Sequence, residues 1–119
     1  MALSISRGDI VWVDFGPVRG VCKAGPHPAI VVQNDVGNAV SPMTIVVPLT
    51  DTAQFKHLPV QVLLTSAETG LANKDSCAEA GHVTAIDRAQ IDDSCGVLGH
   101  LDPPAMSKVD RALKASLAL

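Results

Sequence analysis

Apolar residues along this chain fall in short runs that are bounded by Gly, Pro, Asn and Asp. Runs of this length, rich in Val and Ile and ended by turn-forming residues, are typical of β-strands. In the first run, Val11, Val13 and Phe15 fall on one face, because side chains alternate along a strand. The pattern predicts six short strands, at residues 10–15, 29–33, 44–50, 60–64, 76–79 and 82–86.

The end of the chain has a helical period instead. Asp102 is followed by two prolines, and Met106, Val109, Leu113 and Leu117 then recur at spacings of three and four residues. Asp is a favoured N-cap, proline is tolerated in the first helical turn, and the apolar stripe predicts packing on a sheet. Short strands followed by one helix predict a mainly β fold, a small antiparallel barrel with helical additions. There is no internal repeat or linker, so we expect residues 1–119 to form a single domain.

Composition narrows the possible classes of function. Hydrophobic residues make up 47% of the 119 residues, which excludes disorder, and the apolar runs are too short to span a membrane. Aromatic residues make up only 3%, too few for a surface that binds nucleic acid by stacking on bases. The net charge of −3 provides no general attraction to a polyanion.

The distribution of charge is more informative than its sum. No Asp or Glu occurs between Phe15 and Asn34, whereas Arg19, Lys23 and His27 all fall in that stretch. A polyanion can bind at this loop although the protein as a whole is acidic. Three solvated charges on a surface loop explain the same pattern equally well, and both interpretations stay open at this point.

The cysteines do not indicate a metal site. They lie at positions 22, 77 and 95, far apart, and form no CxxC pair or His/Cys cluster. No zinc site, other metal site or cofactor is therefore predicted. The N-terminus lacks the long apolar core of a secretion signal, so we expect a reduced, cytoplasmic protein without a membrane segment.

A loop rich in Gly and Pro, at residues 16–28, leads into the second predicted strand and places His27 at the junction. The proline that follows His27 excludes helical backbone there, so this residue is expected to be extended. The strand ends in the polar residues Gln33 and Asn34. Long loops inside a small domain are usually functional, which makes this junction the first candidate for a site.

Several segments occur in an order that matches one known family. RGDIVWVDF from residue 7, PAIVVQND from residue 28 and TIVVPLT from residue 44 resemble the MazF/PemK family of toxins. GLANKDS from residue 70, TAID from residue 84 and VDRAL from residue 109 extend the resemblance over nearly the whole chain. The resemblance implies an SH3-like or CcdB-like antiparallel β-barrel with a C-terminal α-helix, and a homodimer.

The resemblance also implies a function. Such proteins are toxins of type II toxin–antitoxin systems, and they act as sequence-specific, metal-independent endoribonucleases on single-stranded RNA such as mRNA. A cognate antitoxin silences them by threading a largely disordered segment through the RNA groove and displacing the loop after the first strand. The loop at residues 16–28 follows the first predicted strand, so it occupies the position expected for this displaced loop.

The implied catalytic pair is an arginine just before the proline of the second strand and a threonine that ends the third. Thr50 matches the threonine, whereas His27 stands where the family has the arginine. Imidazole can act as an acid, a base or a donor, but it lacks the permanent charge of arginine and its bidentate grip on phosphate. Positive charge from the preceding loop can compensate. The predicted RNA-binding residues are Arg19, Lys23, Gln33 and Asn34.

Two further departures from the family lead to alternatives. Asp51 follows Thr50 where the family often has serine, and Thr84 stands near a position that is commonly basic. Both changes lower the expected electrostatic stabilisation of RNA. One alternative is a MazF-like binding module with weakened or no catalysis, which the His27 substitution predicts directly. A CcdB-like gyrase poison is another, but the chain ends in KASLAL and lacks the Trp-Gly-Ile-like end of such a poison.

Overall fold

A computed structural model describes residues 3–17, 25–72 and 74–119, and these ranges contain seven strands and three α-helices. The strands are β1 (Asp9–Asp14), β2 (Pro26–Val31), β3 (Met43–Thr50), β4 (Gln61–Leu64), β5 (Ser76–Glu79), β6 (Thr84–Asp87) and β7 (Gly99–His100). The helices are α1 (Asp35–Val40), α2 (Ser66–Thr69) and α3 (Pro103–Leu117). β1 to β6 agree with the six predicted strands within three residues at each end, and β7 follows a short extended segment that the sequence predicts at residues 95–98.

The strands form one antiparallel sheet in the order β4-β5-β3-β2-β1-β7, with β6 beside β3. β3 pairs with two strands along the same edge. Its first half pairs with β6, and its end pairs with β5 (Leu49↔Ala78). After β6 the chain returns to β1, where Val13 and Ile91 form an isolated bridge. The sheet therefore curls into a half-barrel, which confirms the predicted mainly β architecture with a C-terminal helix.

Pro48 marks the position where β3 changes partner. The carbonyl of Ile45 accepts hydrogen bonds from the amides of Val32 (2.9 Å) and Gln33 (3.3 Å), on the side of β2. Because backbone groups alternate along a strand, Pro48 directs its donor-less nitrogen to the opposite edge. No ladder pair on that edge includes Pro48, which lies between the β6 and β5 ladders. A strand proline at a break in the ladder agrees with the usual rule.

Two hydrophobic cores lie on the two faces of the sheet. α3 covers one face, and this α3 core contains Ile10, Ile30, Val32, Val47, Leu49, Leu64, Ala78, Leu101, Ala105, Met106 and Val109. The opposite core contains Ile5, Val11, Val13, Ala29, Val31, Val46, Ile86 and Ile91. Successive residues of β1, β2 and β3 alternate between the cores, because these strands are buried on both faces.

α3 begins as predicted. Asp102 is its N-cap, its side chain accepts the amide of the third helical residue at 3.0 Å, and prolines occupy the first two positions. Met106 and Val109 are buried and Leu113 packs against the α3 core, whereas Leu117 is 54% exposed and belongs to neither core. The stripe that docks on the sheet is therefore shorter than predicted and ends before the last turn.

Candidate active site

The hairpin of β1 and β2 holds His27. Its ladder continues beyond the two strands, because the amide of Phe15 donates to the carbonyl of Gly25 (2.9 Å) and the amide of Gly25 donates to that of Gly16 (2.7 Å). Gly16 has a φ of 80° and Gly25 a φ of 70°. Glycine adopts such positive φ values more easily than other residues do. β2 thus starts at Pro26, three residues before the predicted start, and His27 lies inside the strand instead of at its junction with the loop.

Two prolines end the pairing of β2 with β3 beside His27. The carbonyl of Val31 accepts a hydrogen bond from the amide of Gly8, just before β1. The odd-numbered residues of β2 therefore direct their backbone groups towards β1. Pro26 and Pro28 therefore direct their donor-less nitrogens towards β3. The β2–β3 ladder accordingly ends at Ala29. The β2–β3 ladder therefore does not extend to His27.

His27 and Thr50 lie equally far along their strands from the last pair of the β2–β3 ladder. The β2–β3 pairs end at Ala29↔Pro48, and the same register continued by two residues would set His27 across from Thr50. On the other edge of β3, Thr50 pairs with Cys77 of β5. Opposite residues share a face of a sheet, so this register assigns His27, Thr50 and Cys77 to one face, and we refer to the three together as the site row. The catalytic role of His27 and Thr50 stays a prediction, which this register favours.

The site row remains partly accessible. His27 and Thr50 are half-buried, and Cys77 is buried. The rings of Phe15 and His27 lie 6.3 Å apart with their planes tilted by 49°. An imidazole and a hydroxyl that are both accessible on one face can reach the same small group, and a phosphate is of suitable size. Phe15 and Cys77 were not predicted at the site, because their positions depend on how the strands pair.

Asp51 follows Thr50 and begins a 3-10 turn at Thr52–Gln54. Its side chain is the N-cap of this turn and accepts the amide of Ala53 at 2.9 Å. The carboxylate is therefore engaged with the backbone that follows it. This cap gives Asp51 a structural role beside the site.

Gln33 and Asn34 lie past the opposite end of β2. Nε2 of Gln33 donates to the side-chain oxygen of Asn38 at 3.2 Å, and the side chain of Asn34 caps α1 by accepting the amide of Gly37 at 2.8 Å. Six residues of extended chain, roughly 20 Å, separate Gln33 from His27. The structure does not bring these two side chains to the site row.

The start of α1 also carries negative charge. The amide of Arg7 donates to Asp35 at 2.7 Å, and this hydrogen bond, with a second one from Asn38, holds the pKa of Asp35 below its usual value. An ionised carboxylate next to Asn34 is unfavourable for a bound phosphate. RNA binding by Gln33 and Asn34 stays a prediction.

Arg19 and Lys23, the other predicted RNA-binding residues, lie outside the described residues, and their role also stays a prediction. Across the described ranges, no group of three or more His, Cys, Asp or Glu side chains is arranged to hold a metal ion. In the same part of the chain, no helix has the length and apolar character needed to cross a bilayer.

The half-barrel with its C-terminal helix defines a small β-barrel protein, and the candidate site lies at the end of the β2–β3 ladder. A family model described as "PemK-like, MazF-like toxin of type II toxin-antitoxin system" matches residues 6–117. This match covers nearly the whole chain, and the chain therefore belongs to that family. Membership confirms the resemblance found in the sequence segments.

Known proteins are similar to this chain over almost their full lengths. Endoribonuclease EndoA of Bacillus subtilis (strain 168) is 37% identical over 115 residues, which cover 97% of this chain and 96% of that protein. Endoribonuclease MazF of Staphylococcus epidermidis is 33% identical over 115 residues, with coverages of 97% and 92%. A solved endoribonuclease from a mycobacterial species, in complex with its cognate antitoxin, matches with a TM-score of 0.77 and 23% identity over 97% of this chain and 96% of that one. At this identity the structural match shows the fold alone.

Proposed function

We propose that this chain is the toxin of a type II toxin–antitoxin system and acts as a sequence-specific, metal-independent endoribonuclease on single-stranded RNA. The observation that carries the proposal is the end of the β2–β3 ladder at Ala29↔Pro48, because the half-buried residues His27 and Thr50 each lie two residues beyond it. Identity of 37% and 33% to named endoribonucleases over 97% of the chain supports the same activity.

The proposed reaction uses the ribose 2′-hydroxyl as nucleophile. Its oxygen bonds to the adjacent phosphorus while His27 takes up its proton as a general base. The bond between phosphorus and the 5′ oxygen breaks, and this oxygen leaves with a proton from the imidazolium or from water. The products are a 2′,3′-cyclic phosphate on one fragment and a 5′-hydroxyl on the other.

Negative charge grows on the non-bridging oxygens of the phosphorane during this step. The hydroxyl of Thr50 is proposed to donate a hydrogen bond to one of these oxygens. His27 does not carry the permanent charge of an arginine, so Arg19 and Lys23 are proposed to supply it from the preceding loop. Gln33 and Asn34 are proposed to contact RNA farther from the cleaved bond.

The partners form part of the same proposal. The mycobacterial endoribonuclease was solved with its cognate antitoxin. We expect a cognate antitoxin to silence this chain by covering the face that carries the site row. We also expect the chain to act as a homodimer in the cytoplasm.

The test is cleavage of a single-stranded RNA by the purified protein in excess chelator, with the product ends mapped. We expect discrete cuts that leave 2′,3′-cyclic phosphate or 3′-phosphate ends.

Thr50→Val removes the hydroxyl at nearly constant shape and should lower kcat roughly 10²- to 10³-fold, whereas Thr50→Ser should keep most of the activity. His27→Ala should lower kcat roughly 10²- to 10⁴-fold. His82→Ala, at an exposed histidine outside the site row, is the control.

Cleavage at a near wild-type rate by both His27→Ala and Thr50→Val would contradict this assignment of the site. The alternative function is a MazF-like module that binds a partner without cleaving RNA, and it is favoured by the histidine that stands where the family has an arginine. Such a module would leave the RNA intact while binding a partner peptide tightly. In that case His27→Arg is the variant expected to restore cleavage.

A further inference from the structure

The segment between β3 and β4 crosses over β5. β3 and β4 both pair antiparallel with β5, on its two edges, so they run parallel to each other. A connection between parallel strands must return the chain to the level where the first strand began. Residues 51–60, here named the crossover segment, make this return and contact β5 through their 3-10 turn. On β5, Cys77 is completely buried and Glu79 is only 9% exposed.

Gln61, the first residue of β4, fastens the crossover segment to the sheet. Its Oε1 accepts the amide of Lys56 at 2.7 Å. Its Nε2 donates to the carbonyl of Gln54 at 3.0 Å and to Oε1 of Glu79 at 2.8 Å. One side chain thus makes two bonds to the segment and one to β5. We refer to Gln61 and Glu79 together as the clamp.

Glu79 is an unusual residue for this position. A carboxylate is rarely buried without a cationic partner, because burial removes its hydration. Within the described residues Glu79 forms no ion pair; its Oε1 contacts the amide of Gln61 and, at 3.8 Å, the Sγ of Cys77. A charged acceptor makes a stronger hydrogen bond than a neutral one. The carboxylate therefore holds Gln61 more firmly than an amide or an apolar side chain would.

We propose that the clamp is a positioning device for Thr50 and Asp51 during RNA cleavage. This inference rests on the proposed function, because the position of Thr50 matters only if the phosphate binds beside it. Thr50 pairs with Cys77, two residues before Glu79 on β5, and Asp51 opens the crossover segment. By holding this segment, the clamp fixes the end of β3. It also keeps the carboxylate of Asp51 in its cap on Ala53, away from the incoming phosphate.

The first measurement does not depend on activity. In the wild-type protein the amide of Lys56 should exchange slowly with solvent, because it donates to Gln61. Gln61→Ala and Glu79→Leu should each speed this exchange roughly tenfold or more, whereas Glu79→Gln should keep it slow because glutamine still accepts the bond. Gln90 donates to the carbonyl of Asp14 at 3.0 Å, so Gln90→Ala removes a comparable bond elsewhere and should leave the exchange at Lys56 unchanged.

The second measurement is cleavage of single-stranded RNA by the same variants. Gln61→Ala should lower kcat roughly tenfold and raise KM, because a released Asp51 carboxylate repels the phosphate and Thr50 loses its fixed position. Asp51→Asn should change little in the wild-type background, since asparagine is also a good N-cap. In the Gln61→Ala background the same change should recover much of the lost activity. A merely structural clamp would lower Tm without this recovery.

Each possible result supports or contradicts one part of this proposal. An unprotected Lys56 amide in the wild-type protein overturns the clamp. Loss of protection in Gln61→Ala with unchanged kcat and KM overturns the positioning role. A wild-type protein that protects Lys56 but cleaves no RNA refutes the proposed function, and the positioning role with it, while the clamp itself stands. If Gln61→Ala does not fold, Glu79→Leu and Glu79→Gln provide the same comparison.

Discussion

His27 provides the candidate site with a group that exchanges protons but carries no permanent charge. The neighbouring strand supplies the hydroxyl of Thr50, which carries no charge, and Asp51 is engaged in the cap of its own turn. Within the described residues, the site row thus offers acid–base chemistry and hydrogen bonds but little positive charge. The affinity for phosphate must come from elsewhere, and Arg19 and Lys23 are the nearest candidates in the sequence.

His27→Arg should strengthen the binding of single-stranded RNA and make it more dependent on salt. Each additional cation–phosphate contact changes the slope of log Kd against log salt by about 0.7 for single strands. We expect this change for His27→Arg and no such change for Ser107→Arg, which adds the same charge on the exposed side of α3. Titration of a labelled RNA at several salt concentrations measures both slopes. Equal slopes for the two variants would show that residue 27 does not contact phosphate.

His27 and Thr50 could be proposed from the sequence, because His27 lies just before a predicted strand, Thr50 ends one, and both stand at family positions. Gln61, Glu79 and Cys77 could not. Strand alternation does place Cys77 and Glu79 on one face of residues 76–79. Which strands flank that segment, and what covers it, depends on long-range pairing and on a crossover, and neither is encoded in the local pattern.

Among the elements, β2 shows where the apolar pattern is informative and where it is not. The run at residues 29–33 marks the buried part of the strand, but the strand itself starts at Pro26. The strand can include these prolines because only its odd-numbered residues hydrogen-bond to β1. Pro26 and Pro28 are even-numbered, so their missing N–H groups do not interrupt the pairing with β1. The same prolines end the ladder with β3. The end of the β2–β3 ladder beside His27 therefore depends on which edge the prolines face, and the sequence alone does not fix that edge.

α2 depends on Glu68 for its first turn and for its link to α3. Glu68 forms a capping box with Thr65, and Lys108 of α3 donates to its carboxylate at 2.8 Å. Lys108, followed by the backbone of Thr65, holds the pKa of Glu68 below its usual value near 4.5. Because the folded-state pKa is lowered, the ionised carboxylate stabilises the folded protein above that usual value. This contribution is lost as the pH falls through the lower folded-state value.

Glu68→Gln should therefore lower the free energy of unfolding by about 0.5 to 1.5 kcal/mol near neutral pH. The difference from the wild-type protein should shrink as the pH falls below the usual pKa, because the wild-type carboxyl is then protonated too. Urea unfolding at neutral and acidic pH measures both values. Lys108→Met, which removes only the partner of Glu68, should show the same trend. A difference that stays constant across this pH range would contradict a role for the charged form.

The described residues are built on one sheet with a core on each face. Neighbouring residues of the same strands serve opposite cores: Ile10 and Ile30 belong to the α3 core, and Val11 and Val31 belong to the opposite core. Loss of either core would expose the strands on which the other depends. We therefore expect the two cores to unfold together. The prediction of a single domain over residues 1–119 has its physical basis in this shared sheet.

Leu101→Ala and Ile86→Ala test this cooperativity, because Leu101 is 2% exposed in the α3 core and Ile86 is 3% exposed in the opposite core. Each truncation should lower the free energy of unfolding by about 2 to 5 kcal/mol, which corresponds to a fall in Tm of roughly 6 to 20 °C. Calorimetry at one fixed protein concentration should show a single transition that shifts as a whole in both variants. Two transitions, with each variant shifting only one of them, would show that the two faces of the sheet unfold separately. The chain would then contain two units of stability in place of one domain.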